Sequence, residues 1–309
     1  MSLETDLLLD RRRLKRRLFF WRGFAVLAVL AAALLALAPK GTLPFRPHLA
    51  RLPVTGLITE DRKLTEAVTA LAKDDSVKAL IVFIDSPGGS VAGGESLHDA
   101  IARVAAVKPV AAVMGGVAAS AGYMVAVPAA RIWAREATLT GSIGVLLETG
   151  EISGLLAGIG VSTDSIVSGP LKDQPSLTHK LSPEGRDVLH GLVMDMYDQF
   201  VGMVASGRHM DAGKVRELAD GRAYTGRQAL KLGLVDAIGG EADARAWLAA
   251  EHHIPVSLPV EDINTEGLVR RALGASLGTL LQGTLKTLLS QGLRLDGAWA
   301  VWQPASIGR

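Results

Sequence analysis

Val77-Lys78-Ala79-Leu80-Ile81-Val82-Phe83-Ile84 carries one charge in eight residues and is rich in β-branched side chains. A run this apolar, with no polar alternation, predicts a strand buried on both faces, as in the middle of a parallel sheet. The neighbouring patterns fit such a sheet. Upstream, Val54–Thr59 reads as a short strand and Lys63–Lys73 as a helix with Leu64, Val68 and Leu71 on one face. Downstream come a helix from about Val91 to Val107, a strand Val110–Met114, a helix opening near Ser120, and short strands at Arg131–Ala134 and Ser142–Leu147. Strands alternating with helices imply a mainly parallel sheet with helices packed on it. Beyond Ile166, a helix from about Pro183 to Gly207 places Val188, Leu192, Met196, Phe200 and Val204 on one stripe. Helices near Ala212–Leu218 and Gly226–Leu232 follow, then a turn at Gly239-Gly240 and a helix to about His253. Residues 54–253 are expected to form one α/β domain, with no internal repeat.

The ends differ from this domain. Residues 1–18 form a basic N-terminus, and residues 19–38 contain an apolar run from Gly23 to Ala38. About 20 helical residues at ~1.5 Å each span roughly a 30 Å hydrocarbon core, so a transmembrane helix is expected there. Arg22 would snorkel to the headgroups. Arg11-Arg12-Arg13 and Lys15-Arg16-Arg17 would hold the N-terminus in the cytoplasm and place everything after Pro39 outside. Ala36-Leu37-Ala38 allows a cleaved signal peptide as the competing reading, although Pro39 would then begin the mature chain. Residues 39–53, with Pro44 and Pro47, read as an extended linker. Residues 254–309 form an amphipathic tail: Val269, Leu273, Leu277, Leu280, Leu281, Leu285 and Leu288 fall at helical spacing among repeated glycines. That tail could dock on the domain, on another protomer or on the membrane surface.

The net charge of +2 is a product of the anchor. Residues 1–22 carry seven Arg or Lys against three acidic residues, and the rest of the chain holds 26 basic against 28 acidic groups. The basic balance therefore does not suggest a nucleic-acid partner. Zero cysteines exclude disulfides, thiol catalysis and Cys-ligated metals.

The candidate chemistry lies in three segments. Ser120 sits in Ala118-Ala119-Ser120-Ala121-Gly122, where small neighbours allow a sharp turn that presents a nucleophile. A structural strand-to-helix turn has the same composition. Ser86-Pro87-Gly88-Gly89 follows the buried strand, and adjacent glycines can aim backbone N–H groups at one point, as an oxyanion hole requires. Those glycines equally suit an ordinary loop. A serine needs a base, and the seven histidines occupy no distinctive motif. A hydrolase triad of Ser120, a later aspartate and His252 or His253 has suitable chain order and little else. Lys172, in Ser168-Gly169-Pro170-Leu171-Lys172, is the alternative base. A lysine with an ordinary pKa of about 10.4 is almost wholly protonated at pH 7. The role therefore requires burial or neighbours that favour the neutral amine.

From about Val54 to Leu248 the chain resembles the signal peptide peptidase A family in its single-domain bacterial form. The matching motifs, in order, are Ser86-Pro-Gly-Gly, Lys108-Pro109-Val110, Ala119-Ser120-x-Gly122-Tyr123, Thr140-Gly-Ser142-Ile-Gly144 and Ser168-Gly-Pro-x-Lys172. Phe200-x-x-x-Val204-x-x-x-Arg208, Gly221-Arg222-Ala223-Tyr224-Thr225-Gly226 and Gly233-Leu234-Val235-Asp236-x-Ile238-Gly239 follow. The resemblance implies a Clp-protease/crotonase-like α/β fold preceded by the membrane helix. It implies Ser120 as nucleophile, Lys172 as general base and Ser142 as the hydroxyl that orients the lysine. Backbone N–H groups of Ala121 and of Gly88 or Gly89 would form the oxyanion hole. It calls for no cofactor and no metal. Protomers of this family assemble into a dome-shaped ring in which serine and lysine can come from neighbouring subunits. Ala121 replaces the usual glycine after the nucleophile, and Met124 replaces the usual second aromatic.

The expectation is a membrane-anchored Ser-Lys endopeptidase at the bacterial inner membrane, with its domain on the extracytoplasmic side. Its substrates would be apolar peptides such as spent signal peptides. A crotonase-like acyl-CoA enzyme and a non-catalytic membrane scaffold are the competing classes.

Overall fold

The computed structural model describes residues 17, 19–29, 46–263 and 299–301. The chain divides into two units, Met1–Arg46 and Pro47–Arg309. In the first, residues 19–29 are helical (α1), with Phe19, Phe20, Trp21 and Phe24 exposed. Among the described residues no helix is long and apolar enough to cross a membrane. Residues 30–38 of the expected span lie outside the described residues, as does the expected tail helix near 266–291.

In the second unit the described strands form one nine-stranded sheet, of order β6-β5-β3-β2-β1-β8, with β4 beside β3, β7 beside β4 and β9 beside β2. The strands are β1 (His48–Ile58), β2 (Val77–Ser90), β3 (Val110–Ala119), β4 (Arg131–Ala134), β5 (Leu139–Gly141), β6 (Ala223–Thr225), β7 (Ala237–Ile238), β8 (Val260–Asp262) and β9 (Trp299–Val301). Only the β5–β6 and β2–β9 pairs are antiparallel. The further helices are α2 (Arg62–Ala70), α3 (Val91–Ala105), α4 (Ala121–Ala126), α5 (Ser153–Gly158), α6 (Pro183–Gly207), α7 (Ala212–Leu218), α8 (Gly226–Lys231) and α9 (Glu241–His252). β2 is buried on both sides. Leu80, Val82 and Ile84 face α3 and α4, with the end of α6 packed on α4. Ala79 and Ile81 face Trp133 and Leu248, the latter on α9 (Glu241–His252). Two apolar faces explain why β2 shows no alternation.

Several element boundaries differ from the sequence pattern, among them β2 and β3, which run on to Ser90 and Ala119. β1 begins at His48, so residues 48–53, expected as linker, are strand paired with Val77–Phe83. Arg51 and Pro53 break the apolar run and hid it. In the fold, Arg51 is matched by Asp262 of β8 at 2.6 Å and Glu241 at 3.1 Å, while Leu49 and Leu52 are fully buried. β8 lies within the expected tail and pairs with Leu49–Arg51. The strand expected at Ser142–Leu147 lies instead at Leu139–Gly141. Consecutive positive φ values at Gly141 (76°) and Ser142 (48°) end the strand there.

Helix α6 opens with a Ser182 cap that accepts the Gly185 N–H at 2.9 Å, with Pro183 in its first turn. Its expected stripe is only half used. Phe200 and Val204 are fully buried, whereas Val188 and Leu192 are about half exposed at 47% and 52%. The helix therefore projects beyond the core at its N-terminal end.

Removing side-chain volume between the two faces of β2 should be severe. Leu80→Ala is expected to lower the unfolding free energy by about 2–5 kcal/mol, measured by denaturant titration of the full chain in detergent.

Candidate active site

Ser120 closes β3 and opens α4, at φ 56° and ψ −120°. A non-glycine residue in such a conformation costs about 1–3 kcal/mol and must be held by its surroundings. The Ser120 N–H donates to the Gly141 carbonyl at 2.8 Å, and its own carbonyl accepts the Met124 N–H at 3.0 Å. The small neighbours are needed for close packing. A Cβ on Gly122 would lie 3.0 Å from the Ser86 carbonyl oxygen, and one on Gly94 would lie 3.0 Å from the Ala121 Cβ. α4 thus runs almost in contact with both β2 and α3. Met124 is buried against Gly94, so this departure fills the core at the α3 contact. Ala121 is the first residue of α4, and its N–H lacks an intrahelical acceptor.

Ser86-Pro87-Gly88-Gly89 continues β2, which runs six residues past Ile84. Gly88 has φ 116°, and its N–H donates to Ser86 Oγ at 3.1 Å. The same hydroxyl donates to the Gly56 carbonyl at 2.6 Å and is fully buried. An oxyanion arriving here would compete with Ser86 Oγ for the Gly88 N–H. Gly89 pairs with Ile58, and a Cβ at this position would fall 1.8 Å from the Ile58 carbonyl oxygen. No other residue fits.

Ser142 lies one residue beyond the carbonyl that holds Ser120. Its N–H donates to the Arg222 carbonyl at 2.9 Å and its hydroxyl to the Gly221 carbonyl at 3.1 Å. That hydroxyl keeps acceptor lone pairs for an incoming amine, which suits an orienting role. Ser120, Ser142, Ala121, Gly88 and Gly89 are therefore gathered at one end of the sheet. Lys172 is not. Its side chain is exposed, in a turn closed by its own N–H to the Gly169 carbonyl at 3.0 Å, and it bonds neither serine. The segment that carries it is held by local contacts: Ile152 N–H to the Leu177 carbonyl at 2.8 Å, Ser182 N–H to Gln174 Oε1 at 3.1 Å, and His179 beside Asp173 at 3.5 Å. His252 packs edge-on against Trp247, which belongs to the cluster on the sheet face opposite α4. His253 caps the C-terminus of the same helix, and neither histidine bonds Ser120.

A model of peptidase family S49 matches residues 102–254, and one of Clp protease matches residues 57–145. A Synechocystis sp. protein named as a protease is 40% identical over 232 residues, which cover 74% of this chain and 84% of that protein. The chain belongs to peptidase family S49. An Enterococcus faecium protein named as a signal peptide peptidase SppA is 39% identical over 206 residues, covering 66% of this chain and 60% of that one. Protease 4 of Salmonella typhi is 39% identical over 177 residues, 57% of this chain and 28% of its own length. The sheet and its crossing helices are a mixed α/β fold of the Clp-protease kind. The Clp match takes in Ser120 and Ser142 and stops before Lys172, which only the S49 match contains.

Two S49 motifs with no assigned role meet behind the nucleophile turn. The Arg208 guanidinium binds both carboxylate oxygens of Asp236, and its Nε donates to the Gly233 carbonyl at 3.1 Å. Asp236 Oδ2 also accepts the Ile132 N–H at 2.8 Å. The fully buried Tyr123, one turn into α4, donates its hydroxyl to the Leu234 carbonyl at 2.7 Å, and burial pushes the phenol above its ordinary range. The end of α6, the 233–236 turn, β4 and the helix behind Ser120 are thereby tied to one ion pair. The recurrence of Tyr123, Arg208 and Asp236 in separate motifs was the sequence signal for this cluster, but their convergence required the fold.

Asp236→Ala would leave a buried guanidinium unpaired, with an expected loss of about 3–5 kcal/mol in unfolding free energy. Tyr123→Phe leaves one buried carbonyl without its donor and should lose about 1–3 kcal/mol. Thermal denaturation of both variants beside wild type measures this.

Proposed function

We propose that the chain is a membrane-anchored serine endopeptidase that uses a Ser120–Lys172 dyad on extended apolar peptides such as cleaved signal peptides. The observation that carries this reading is the strained Ser120 turn, with the Ser142 hydroxyl beside it in a member of peptidase family S49. Ser120 Oγ attacks the scissile carbonyl carbon as the neutral Lys172 amine takes its proton. The tetrahedral oxyanion is stabilised by the Ala121 N–H and by Gly88 or Gly89. The C–N bond then breaks, and Lys172 returns the proton to the departing amine. Water, activated by the same lysine, hydrolyses the Ser120 ester. Ser142 accepts a hydrogen bond from the lysine and fixes its direction.

The exposed position of Lys172 supports a site completed by a neighbouring protomer. Its segment displays Leu155, Ile159, Ile166, Val167 and Leu171 to solvent, and Val188 and Leu192 of α6 are exposed as well. Large apolar side chains exposed in this number are the kind of surface that association buries. The desolvation a lysine base needs would arrive with the same contact. The basic residues before the apolar run at 23–38 support an anchor in the bacterial inner membrane with the peptidase domain on the extracytoplasmic side.

Full-length Ser120→Ala and Lys172→Ala proteins in detergent should each remain folded and lose turnover of an apolar peptide library. Co-assembled from a mixture of the two, they should regain a fraction of wild-type turnover, because some sites then combine an intact serine with an intact lysine. Normal turnover by folded Lys172→Ala protein would sink the lysine assignment, and mixed assemblies without activity would place both groups in one subunit.

A further inference from the structure

Between Ile84 and Ser86 the ladder that joins β2 to β3 lapses. Ile84 pairs with Met114 and Ser86 with Ala118, so Asp85 alone stands opposite Gly115, Gly116 and Val117. The extra residues make a bulge in β3, and bulges beside active sites re-aim the chain that follows them. Here β3 also changes neighbours. Before the bulge, Ala111–Val113 pair with β4; after it, Val117–Ala119 pair with β5. The bond from the Ser120 N–H to the Gly141 carbonyl prolongs that second ladder. The bulge thus sets how far β3 is advanced along β2 when it reaches the nucleophile.

Asp85 is the side chain that spans the lapse. Its Oδ1 accepts the Val117 N–H at 3.0 Å. Gly115 makes room for it, since a Cβ there would lie 3.0 Å from both Cβ and Cγ of Asp85. On the far side of the bulge, the Thr138 hydroxyl donates to the Gly115 carbonyl at 2.7 Å and accepts the Arg135 N–H at 3.0 Å. The next residue of β2, Ser86, holds the other half of the site through the Gly56 carbonyl and the Gly88 N–H. The candidate oxyanion donors lie on both sides of the lapse, Gly88 and Gly89 on β2 and Ala121 just after β3. Their separation therefore depends on the offset that Asp85 pins.

We propose that Asp85 is a positioning residue for acyl transfer, which keeps Ser120 and the Ala121 N–H in step with Gly88 and Gly89 by holding Val117. The inference rests on the peptidase reading above and adds a residue to its machinery. Asp85 is exposed, so water can satisfy the Val117 N–H once the carboxylate is gone. Water cannot tie that N–H to β2. The loss should fall on alignment rather than on folding, and alignment is what the attack on the carbonyl and the capture of its oxyanion require.

The test uses the full chain in detergent, with peptide turnover and the rate of Ser120 labelling by a fluorophosphonate probe as readouts. Folded Asp85→Ala should lose about 10- to 100-fold in kcat and in labelling rate, with KM little changed. In a Ser120→Ala background, which prevents turnover, the same change should raise hydrogen–deuterium exchange of the 115–120 backbone several-fold. Asp85→Asn keeps an acceptor in place without the charge and should retain most of the wild-type rate. Asp85→Glu keeps the charge, shifts the oxygen by one methylene and should fall between the two. If Asp85→Ala does not fold, the Asn and Glu variants decide the matter. Normal kcat and labelling in folded Asp85→Ala would overturn the proposal and leave the peptidase reading standing. So would a raised KM at unchanged kcat, a slowed reaction with unchanged exchange, or an Asn variant slower than the Glu variant. Wild-type protein that neither labels nor turns over peptide would overturn the peptidase reading itself, and this role for Asp85 with it.

Discussion

The hydrogen bond from the Ser120 N–H to the Gly141 carbonyl is the constraint around which this end of the molecule is built. A serine at positive φ stays there only if the chain on either side is fixed, and that bond fixes it to the adjacent strand β5. β5 in turn can stop at Gly141 because Gly141 and Ser142 both take positive φ, which redirects the chain towards Gly221 and Arg222. Ser142 therefore reaches the neighbourhood of Ser120 through the bond that strains it. The two hydroxyl-bearing turns are one mechanical unit.

This unit sits on a sheet with no slack on either face. β2 is sealed by α3 and α4 on one side and by Trp133 and α9 on the other. Gly89, Gly94 and Gly122 mark the places where backbone meets backbone or helix meets helix with no room for a methyl group. Arg208 and Asp236 serve the same end from below, since their ion pair ties α6 and the 233–236 turn to β4 while Tyr123 ties α4 to Leu234. The charges are tolerable there because each is met by the other and by backbone groups.

Much of this was legible in the chain. β2 declared itself because both faces are apolar, and the helix expected from about Pro183 to Gly207 is α6. β1 was legible only from Val54, because Arg51 is neutralised by carboxylates more than 180 residues away that no local pattern can show. The expected strand at Ser142–Leu147 misplaced β5 because positive φ at a serine leaves no mark in composition. Ser120, Ser142, Gly88, Gly89 and Ala121 were readable as motifs, and the fold brings them to one end of the sheet. Lys172 was readable as a motif too. Its exposure was not, because its segment folds on local hydrogen bonds and shows its apolar side chains outward.

The Arg51 clasp has a consequence for how the protein avoids itself. β8 forms the outermost rung beyond β1, only three residues long and bearing Glu261 and Asp262. Asp262 is held below the usual carboxylate range by Arg51, so the rim keeps its negative charge in mildly acidic surroundings. A short, acidic rim is a poor template for another chain and guards against edge-to-edge polymerisation.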